Sequence, residues 1–97
     1  MTDYQKGLEM IQGLISKRWI PEILYSVSLG NHRFTDILNS INYLSQTELQ
    51  RKLKLLEESN CLIKDEVDMS YNLTEFGSEV NHLFRHFYDL GKKYQLT

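Results

Sequence analysis

The chain has 97 residues and a formal net charge of −2 at pH 7, and 41% of its residues are hydrophobic and 25% are charged. This composition is ordinary for one globular domain. No apolar run approaches the ~20 residues that a membrane helix needs, and the N-terminus lacks the basic and apolar segments of a secretory signal. The single cysteine excludes an intrachain disulfide and suits a reducing compartment. We therefore expect a cytoplasmic protein with no membrane partner.

Two helices are predicted before residue 30. In the first, roughly residues 3–14, apolar side chains recur at spacings of four, three and four. These side chains are Tyr4, Leu8, Ile11 and, just past the end, Ile15. In the second, roughly residues 17–28, one side carries Trp19, Ile20, Ile23, Leu24 and Val27. Pro21 then falls in the first turn, where a missing N–H costs nothing, and Gly30 ends the helix.

Two closely spaced helices follow, and the second has a polar outer face. The segment "TDILNSI" is a third helix, which turns Phe34, Ile37, Leu38 and Ile41 inward and is ended by Asn42 and Tyr43. A capping box predicts the start of the fourth, because Ser45 can accept the backbone N–H of Glu48 while the Glu48 side chain reaches back to Ser45. The buried stripe of the fourth helix is Leu49, Leu53 and Leu56, with Leu55 at its edge. Its solvent side carries Gln46, Thr47, Gln50, Arg51 and Lys54.

A hairpin and a long helix complete the chain. Residues 61–73 alternate apolar and polar side chains, which predicts two strands with a turn near Asp65–Asp68. Thr74 can cap a last helix over about residues 75–94. The apolar stripe of that helix is Phe76, Val80, Leu83, Phe84, Phe87 and Tyr94, widened by Tyr88 and Leu90.

The order of these elements predicts a mainly α fold with a small β-hairpin. A helix-turn-helix followed at once by a hairpin is the arrangement of a winged helix-turn-helix. We expect one DNA-binding domain over residues 1–97, with the helix-turn-helix at 34–58 and the wing at 61–73. Residues 1–15 and 75–97 are then helical dimerisation elements. The polar face of the fourth helix lies where a recognition helix enters the major groove.

Over about residues 17–95 the chain resembles the HxlR-type winged-helix transcription regulators of bacteria. The resemblance rests on an ordered set of short matches, "RWIPEIL", "GNHRF", "SQTELQRKLKLL", "LIK" and "YNLTEFG". The matching positions are Trp19, Ile23, Leu24, Gly30, Arg33, Phe34, Ser45, Leu49, Leu53, Leu56, Leu62, Ile63, Tyr71, Leu73, Thr74 and Gly77. The resemblance implies a homodimer that binds a near-palindromic operator, with the first and last helices forming the subunit contact.

Three features depart from the pattern of that family. The position that is usually glycine before the Leu-Ile strand is Asn60 or Cys61 here. The predicted wing is short, and its turn "DEVD" is acidic where relatives often carry a base, so DNA contact by the wing stays an open question at this point. Some relatives sense thiol oxidants through a cysteine near the N-terminus, and residues 1–16 contain none.

The polar face of the fourth helix is the main candidate site. Gln pairs bidentately with adenine and Arg with guanine, while Ser and Thr contact phosphates or a thymine methyl group. The capped N-terminus of the helix also attracts a phosphate. The expected base contacts are Gln46, Gln50 and Arg51. The expected contacts to the DNA backbone are Arg33, Ser45, Thr47, Lys54 and Lys64. The alternative is an ordinary solvated helix face.

The small net charge hides a pattern along the chain. Residues 65–79 carry five acidic side chains and no basic ones, whereas residues 45–64 carry four basic and three acidic side chains. The electrostatic potential at a DNA site therefore depends on where these two segments point, and the net charge alone does not decide it.

The terminal helices are the candidate dimer interface. The last helix has more apolar width than one small core can bury, and the first adds a second apolar stripe. The expected interface residues are Tyr4, Leu8, Ile11, Ile15, Phe84, Phe87, Tyr88 and Tyr94. The alternative is that both helices pack only on their own subunit.

Cys61, His82 and His86 are weaker candidates. A lone cysteine between a helix end and a strand is more often packed than redox-active. The two histidines have zinc-ligand spacing and Glu75 and Glu79 share their face, but two histidines do not fill a tetrahedral site. No nucleophile–base pair, paired-carboxylate site or Gly-rich phosphate loop is visible. We therefore expect no metal, no cofactor and no enzymatic activity.

Two other functions stay open beside DNA binding. A winged-helix dimer can serve as a protein-interaction module with little DNA binding, using the acidic hairpin and an apolar surface. A regulator of this kind can also bind a small-molecule effector at the dimer helices, although the sequence marks no pocket for one. The partners that the sequence favours are double-stranded DNA and a second copy of the chain.

Overall fold

The computed structural model describes residues 2–95. Over that range it contains five helices and one antiparallel pair of strands. The helices are α1 (Asp3–Ile15), α2 (Ile20–Ser28), α3 (Phe34–Ser40), α4 (Gln46–Glu58) and α5 (Glu75–Tyr94), and the strands are β1 (Leu62–Lys64) and β2 (Tyr71–Leu73). This order confirms the predicted mainly α fold with a small hairpin. Met1 and residues 96–97 of the predicted C-terminal dimerisation segment lie outside the described residues.

Helix α1 begins with a capping box, which is absent from the predicted elements. The Thr2 hydroxyl accepts the Gln5 backbone N–H at 3.1 Å, and the Gln5 side-chain oxygen accepts the Thr2 backbone N–H at 3.0 Å. Two of the N–H groups that a helix start leaves unsatisfied are therefore bonded. Only Leu14 of this helix is fully buried, so most of the predicted stripe stays on the surface.

Helix α2 begins at Ile20, three residues later than predicted. Trp19 adopts a left-handed backbone conformation with φ of 75°, which a helix interior cannot contain. Pro21 lies in the first turn as predicted. The Arg18 guanidinium stands 4.7 Å from the centre of the Trp19 ring, so a cation–π contact accompanies the turn.

One hydrophobic core joins the helices and the hairpin. The three predicted leucines of α4, Leu49, Leu53 and Leu56, are all fully buried in it. The other core side chains are Leu14, Ile20, Ile23, Leu24, Val27, Ile37, Leu44, Cys61, Leu62, Tyr71, Val80 and Phe84. Burying α4 by this leucine stripe directs the opposite, polar side of the same helix to solvent.

The wing is paired on both sides of β2. Strand β1 pairs with β2 in the register Leu62 to Leu73 and Lys64 to Tyr71. On its other side, the Tyr71 backbone N–H donates to the His32 carbonyl at 2.7 Å, and the His32 Nδ1 lies 2.9 Å from the Tyr71 carbonyl oxygen. The extended link between α2 and α3 therefore fixes the wing to the helix-turn-helix.

Candidate nucleic-acid interface

The polar side chains predicted to contact DNA lie together on one exposed face of α4. Gln46, Thr47, Gln50, Arg51 and Lys54 are all solvent-exposed. Helix geometry places them on adjacent turns, since residues three and four apart are neighbours. The face is therefore continuous and carries hydrogen-bond donors and acceptors as well as two positive charges.

The start of α4 is capped, but only half of the predicted capping box forms. The Ser45 hydroxyl accepts the Glu48 backbone N–H at 3.1 Å, as predicted. The Glu48 side chain does not close the box. Its carboxylate oxygens lie 3.5 Å from Arg51 and 3.6 Å from Lys52. Two basic residues within one turn compete successfully for the carboxylate, so that part of the prediction was wrong.

The ion pair between Glu48 and Arg51 leaves Arg51 available. The Arg51 side chain is 71% exposed and the contact is an i,i+3 surface pair. Pairs of this kind contribute little, typically below ~1 kcal/mol, and are screened by salt. Arg51 can therefore exchange the carboxylate for a base edge or a phosphate at small cost.

A groove of about 440 Å³ separates α4 from the hairpin, and lysines stand on both of its walls. Lys54 comes from α4 and Lys64 from β1, with Gln50 beside them. The Lys64 ammonium lies 5.6 Å from the centre of the Tyr71 ring, which supports the side chain against the hairpin. The remaining lining residues are Phe34, Glu57, Met69 and Tyr71. Two cations lining a groove beside α4 suit a DNA backbone.

Arg33 connects the helix-turn-helix to the wing. It directly precedes α3, and its Nη1 donates to the Asp68 carbonyl oxygen at 3.0 Å. The guanidinium carries five N–H donors, so this bond uses only part of its capacity. Arg33 is exposed and keeps donors for a phosphate.

The tip of the wing is an acidic turn that satisfies its own backbone. One Asp65 carboxylate oxygen accepts the backbone N–H groups of Val67 at 2.8 Å and Asp68 at 3.3 Å. The Asp68 carboxylate accepts the Ser70 backbone N–H at 2.9 Å. Hydrogen bonds from the Ser70 side chain and backbone, with a smaller effect of Arg33, hold the pKa of the Asp68 carboxyl below its ordinary value. These amides are bonded inside the turn and are therefore not free to donate to a phosphate, and the side chains of Asp65, Glu66 and Asp68 make the tip acidic.

Tyr43 was predicted only to break a helix, but it is a surface residue. It lies just before the Ser45 cap, has φ of 70° and is 96% exposed. A tyrosine hydroxyl is a common donor to DNA phosphates. The sequence did contain a signal for this role, because it places an aromatic residue two positions before the Ser45 cap of the predicted recognition helix.

Most of the residues predicted to form the dimer interface are exposed on the terminal helices α1 and α5. On α1, Tyr4, Leu8 and Ile15 are exposed and Ile11 is half-buried. On α5, Phe87 and Tyr94 are exposed. Met10, Leu83 and Leu90 are further exposed apolar side chains of these helices.

Two α5 residues do not belong to that exposed face. Phe84 is only 5% exposed because it packs in the core of its own chain. Tyr88 is exposed but lines a groove against α2. The prediction that Phe84 lies in the dimer interface was therefore wrong. The predicted apolar stripe of α5 is so wide that it includes both the face that packs against α2 and the neighbouring exposed face.

Cys61 is fully buried, and burial raises the pKa of its thiol above the ordinary value. A buried protonated thiol is a poor nucleophile, which favours the packing role. His82 and His86 are exposed on α5. Within residues 2–95, no group of three or more His, Cys, Asp or Glu side chains is arranged to hold a metal ion. In the same range, none of the helices is both long and apolar enough to cross a membrane.

The polar α4 face, the preceding helix and the paired wing define a winged helix-turn-helix protein. Residues 14–97 match the family model described as HxlR-like helix-turn-helix. The chain belongs to this family, whose members are transcriptional regulators and not enzymes.

Known relatives agree with this assignment. The chain is 32% identical over 83 residues to the HTH-type transcriptional regulator YodB of Bacillus subtilis (strain 168), covering 80% of this chain and 74% of the relative. The crystal structure of quinone-bound YodB aligns with a TM-score of 0.79 at 28% identity, covering 91% of this chain and 98% of that one.

Two further structures are similar. A crystal structure of a possible HxlR family transcriptional factor from Thermoplasma volcanium GSS1 has a TM-score of 0.67 at 28% identity, covering 84% of this chain and 82% of that one. A crystal structure of a putative transcriptional regulator of the MarR family from Enterococcus faecalis V583 aligns with a TM-score of 0.83, covering 98% of this chain and 91% of that one. Its identity is 16%, so that likeness shows the fold alone.

Proposed function

We propose that the protein regulates transcription as a homodimer that binds a near-palindromic operator, with one α4 in each of two major grooves. The observation that carries the proposal is the continuous exposed face of α4, which combines side chains suited to base edges with flanking cations. A twofold axis would repeat this face on a second copy, and each copy would read one half-site. Such a protein would act in the cytoplasm, where the DNA is.

Base and backbone contacts divide along the α4 face. Gln46, Gln50 and Arg51 are proposed to read base edges, since Gln matches adenine and Arg matches guanine in two hydrogen bonds each. The proposed contacts to the DNA backbone are Arg33, Tyr43, Ser45, Thr47, Lys54 and Lys64. Lys54 and Lys64 both line the groove beside α4, which supports this role.

The acidic wing tip has no part in the proposed contact. The carboxylates of Asp65 and Asp68 accept backbone N–H groups within the turn itself. Their negative charge then limits how closely the tip can approach phosphates, so DNA affinity would depend on α4 and on the wing base. This division accounts for a DNA-binding chain with a net charge of −2.

The proposed dimer contact uses α1 and α5. Apolar side chains at spacings of three and four cover one side of each helix, namely Tyr4, Leu8, Ile11 and Ile15 on α1 and Leu83, Phe87, Leu90 and Tyr94 on α5, and all of these except the half-buried Ile11 are exposed. An apolar surface of this extent on a small domain is typical of a subunit interface. The proposed domain is residues 1–97, with these two helices as its dimerisation elements.

Selection of bound fragments from random duplex DNA tests this function. We expect an enriched inverted repeat whose half-site centres lie about one helical turn, or a multiple of it, apart. Sedimentation of the free protein at micromolar concentration is expected to give a dimer. Enrichment of no sequence, or a chain that remains monomeric with and without DNA, would contradict the proposal.

A protein-binding module is the second candidate, and one observation favours it. Val67 is 95% exposed at the acidic tip, and Ile63 and Met69 are also exposed nearby. An apolar side chain surrounded by carboxylates suits a basic protein partner better than DNA. Binding of random duplex at about 50 mM salt separates the two functions, because the phosphate contribution to affinity is largest at low salt. Absence of binding there favours the protein partner.

A further inference from the structure

A second groove, of about 560 Å³, lies between α2 and α5 on a part of the surface that the proposed DNA and dimer contacts do not use. Three of its seven lining residues are aromatic, namely Tyr25 from α2 and Phe84 and Tyr88 from α5. Pro21, Glu22, Asn81 and Arg85 complete it. This volume is in the range of small-molecule sites, which are mostly apolar with a few placed polar groups.

Asn81 gives the groove an unsatisfied polar group. The residue is only 7% exposed, and its Oδ1 is buried with no hydrogen-bond partner among residues 2–95. A buried carbonyl oxygen without a donor is costly and uncommon in native proteins. Asn81 also lines the groove. Rotation of its terminal amide exchanges the oxygen and the nitrogen without moving the backbone, and a ligand that donates from the groove would favour the orientation with the oxygen toward it. Asn81 is therefore an acceptor that a ligand with an O–H or N–H group would satisfy.

The charges of the groove favour a neutral ligand. Glu22 and Arg85 line it with opposite charges. The Arg85 guanidinium stands 4.6 Å from the centre of the Tyr25 ring, which fixes that ring as part of the wall. Aromatic walls prefer a flat aromatic guest. We propose that the α2–α5 groove binds a neutral planar aromatic compound whose O–H or N–H group donates to the amide oxygen of Asn81.

The groove and the proposed dimer face lie on different sides of α5. Asn81, Arg85 and Tyr88 follow one another at spacings of four and three, which places them on one side of the helix. The apolar face of α5 that contains Phe87 and Tyr94 begins at Leu83, two residues after Asn81. At 100° per residue, its centre lies roughly 150° around the helix axis from the side that carries the groove residues. Dimerisation through α1 and α5 therefore leaves the groove open.

Helix α2 also links the groove to the helix-turn-helix. Ser26, next to Tyr25, is buried. Its hydroxyl lies 2.6 Å from that of Ser40 at the end of α3 and accepts from the Asn31 side chain at 3.2 Å. A ligand bound between α2 and α5 would therefore contact α2, the helix that makes this hydrogen-bonded contact to α3.

The test uses 2-naphthol, which is planar and has one hydroxyl donor, and 2-methoxynaphthalene, which lacks the donor. Equilibrium dialysis of the full-length protein without DNA is expected to give saturable binding of 2-naphthol with Kd at or below about 1 mM. Binding of the methoxy compound should be about tenfold weaker, since it leaves the Asn81 oxygen unsatisfied. Because DNA is absent, the outcome is independent of the proposed DNA-binding function.

Two variants and a control sharpen the test. Asn81→Leu should abolish the discrimination between the two compounds while keeping the fold, because it replaces an unsatisfied amide with an apolar group of similar size. Tyr88→Ala, at an exposed position, should weaken the binding of both compounds by the same factor. His86→Ala, on the outer side of α5, should change neither. Lack of saturable binding in the wild type, equal affinity for both compounds, or unaltered discrimination in Asn81→Leu would each overturn the proposal.

Discussion

Gly77 lies directly against the backbone of Cys61, so closely that a Cβ atom on Gly77 would overlap the Cys61 carbonyl oxygen. The same carbonyl accepts the Thr74 backbone N–H at 3.1 Å, and the Thr74 hydroxyl accepts the Gly77 N–H at 2.8 Å. The start of α5 is therefore packed onto the residue that leads into β1. This close approach gives the glycine of the "YNLTEFG" segment a physical reason.

Gly77→Ala is expected to destabilise the fold strongly. The new methyl group meets backbone atoms that cannot rotate away, so α5 must shift from the hairpin at a cost of about 3 kcal/mol. Chemical denaturation measures this loss. Gly13→Ala is the matched control, because a Cβ at Gly13 meets nothing within 4 Å; it should stabilise α1 by about 0.5–1 kcal/mol. Equal effects of the two substitutions would contradict the assigned contact.

The Ser45 cap makes a second prediction. Ser45→Ala removes the acceptor of the Glu48 N–H and should lower the free energy of unfolding by about 1 kcal/mol. Glu48 does not compensate, because its carboxylate is held by Arg51 and Lys52. Ser78→Ala, at an exposed position inside α5, should change stability by less than about 0.5 kcal/mol. If Ser45→Ala is as harmless as this control, the cap contributes nothing.

Local signals explain which parts of the fold were predictable. The leucine spacing of α4, the Ser45 cap and the alternation of the hairpin each act within a few residues, and each predicted an element that the structure confirms. The start of α2 was missed because a left-handed Trp19 has no local sequence signal of the kind that glycine provides.

Contacts between distant segments explain what the sequence could not predict. The pairing of His32 with Tyr71 joins segments 39 residues apart. Phe84 and Tyr88 are both apolar residues of one stripe, and only the position of α2 decides that the first is core and the second lines a groove. For the same reason, the outward face of α4 was predictable from its own period, whereas Asn81 looked like an ordinary polar residue of α5.

Burial of Cys61 predicts a loss of stability at alkaline pH. The pKa of the folded thiol is raised, so the unfolded chain loses its proton first as pH rises above the ordinary thiol value. The unfolded state then binds fewer protons than the folded state, and stability falls with increasing pH until the folded thiol also ionises. We expect the free energy of unfolding, measured with a reductant present, to fall more steeply between pH 8 and 10 in the wild type than in Cys61→Ala. Parallel pH profiles would show that the thiol does not contribute.

Arg51 and Lys54 are expected to affect DNA binding in different ways. Arg51→Ala should cost about 1–3 kcal/mol at the selected operator and relax the preference at one base pair, because it removes a bidentate base contact. Lys54→Ala should weaken binding to the operator and to random duplex alike. It should also reduce the magnitude of the negative slope of log K against log salt by about 0.9, because it removes one phosphate contact. Fluorescence titrations of both variants over a salt series measure the two quantities together.

Lys92→Ala serves as the control for these titrations, since it removes an exposed positive charge in the last turn of α5, which is not part of the proposed DNA contact. It should leave base preference unchanged and lower the salt slope by much less than Lys54→Ala, because a charge farther than a Debye length from the DNA is largely screened. A uniform loss on all sequences in Arg51→Ala would reassign that residue to the DNA backbone. If Arg51→Ala and Lys54→Ala both behave like Lys92→Ala, the outer face of α4 is not the DNA contact, and the exposed side chains of the wing become the surface to examine.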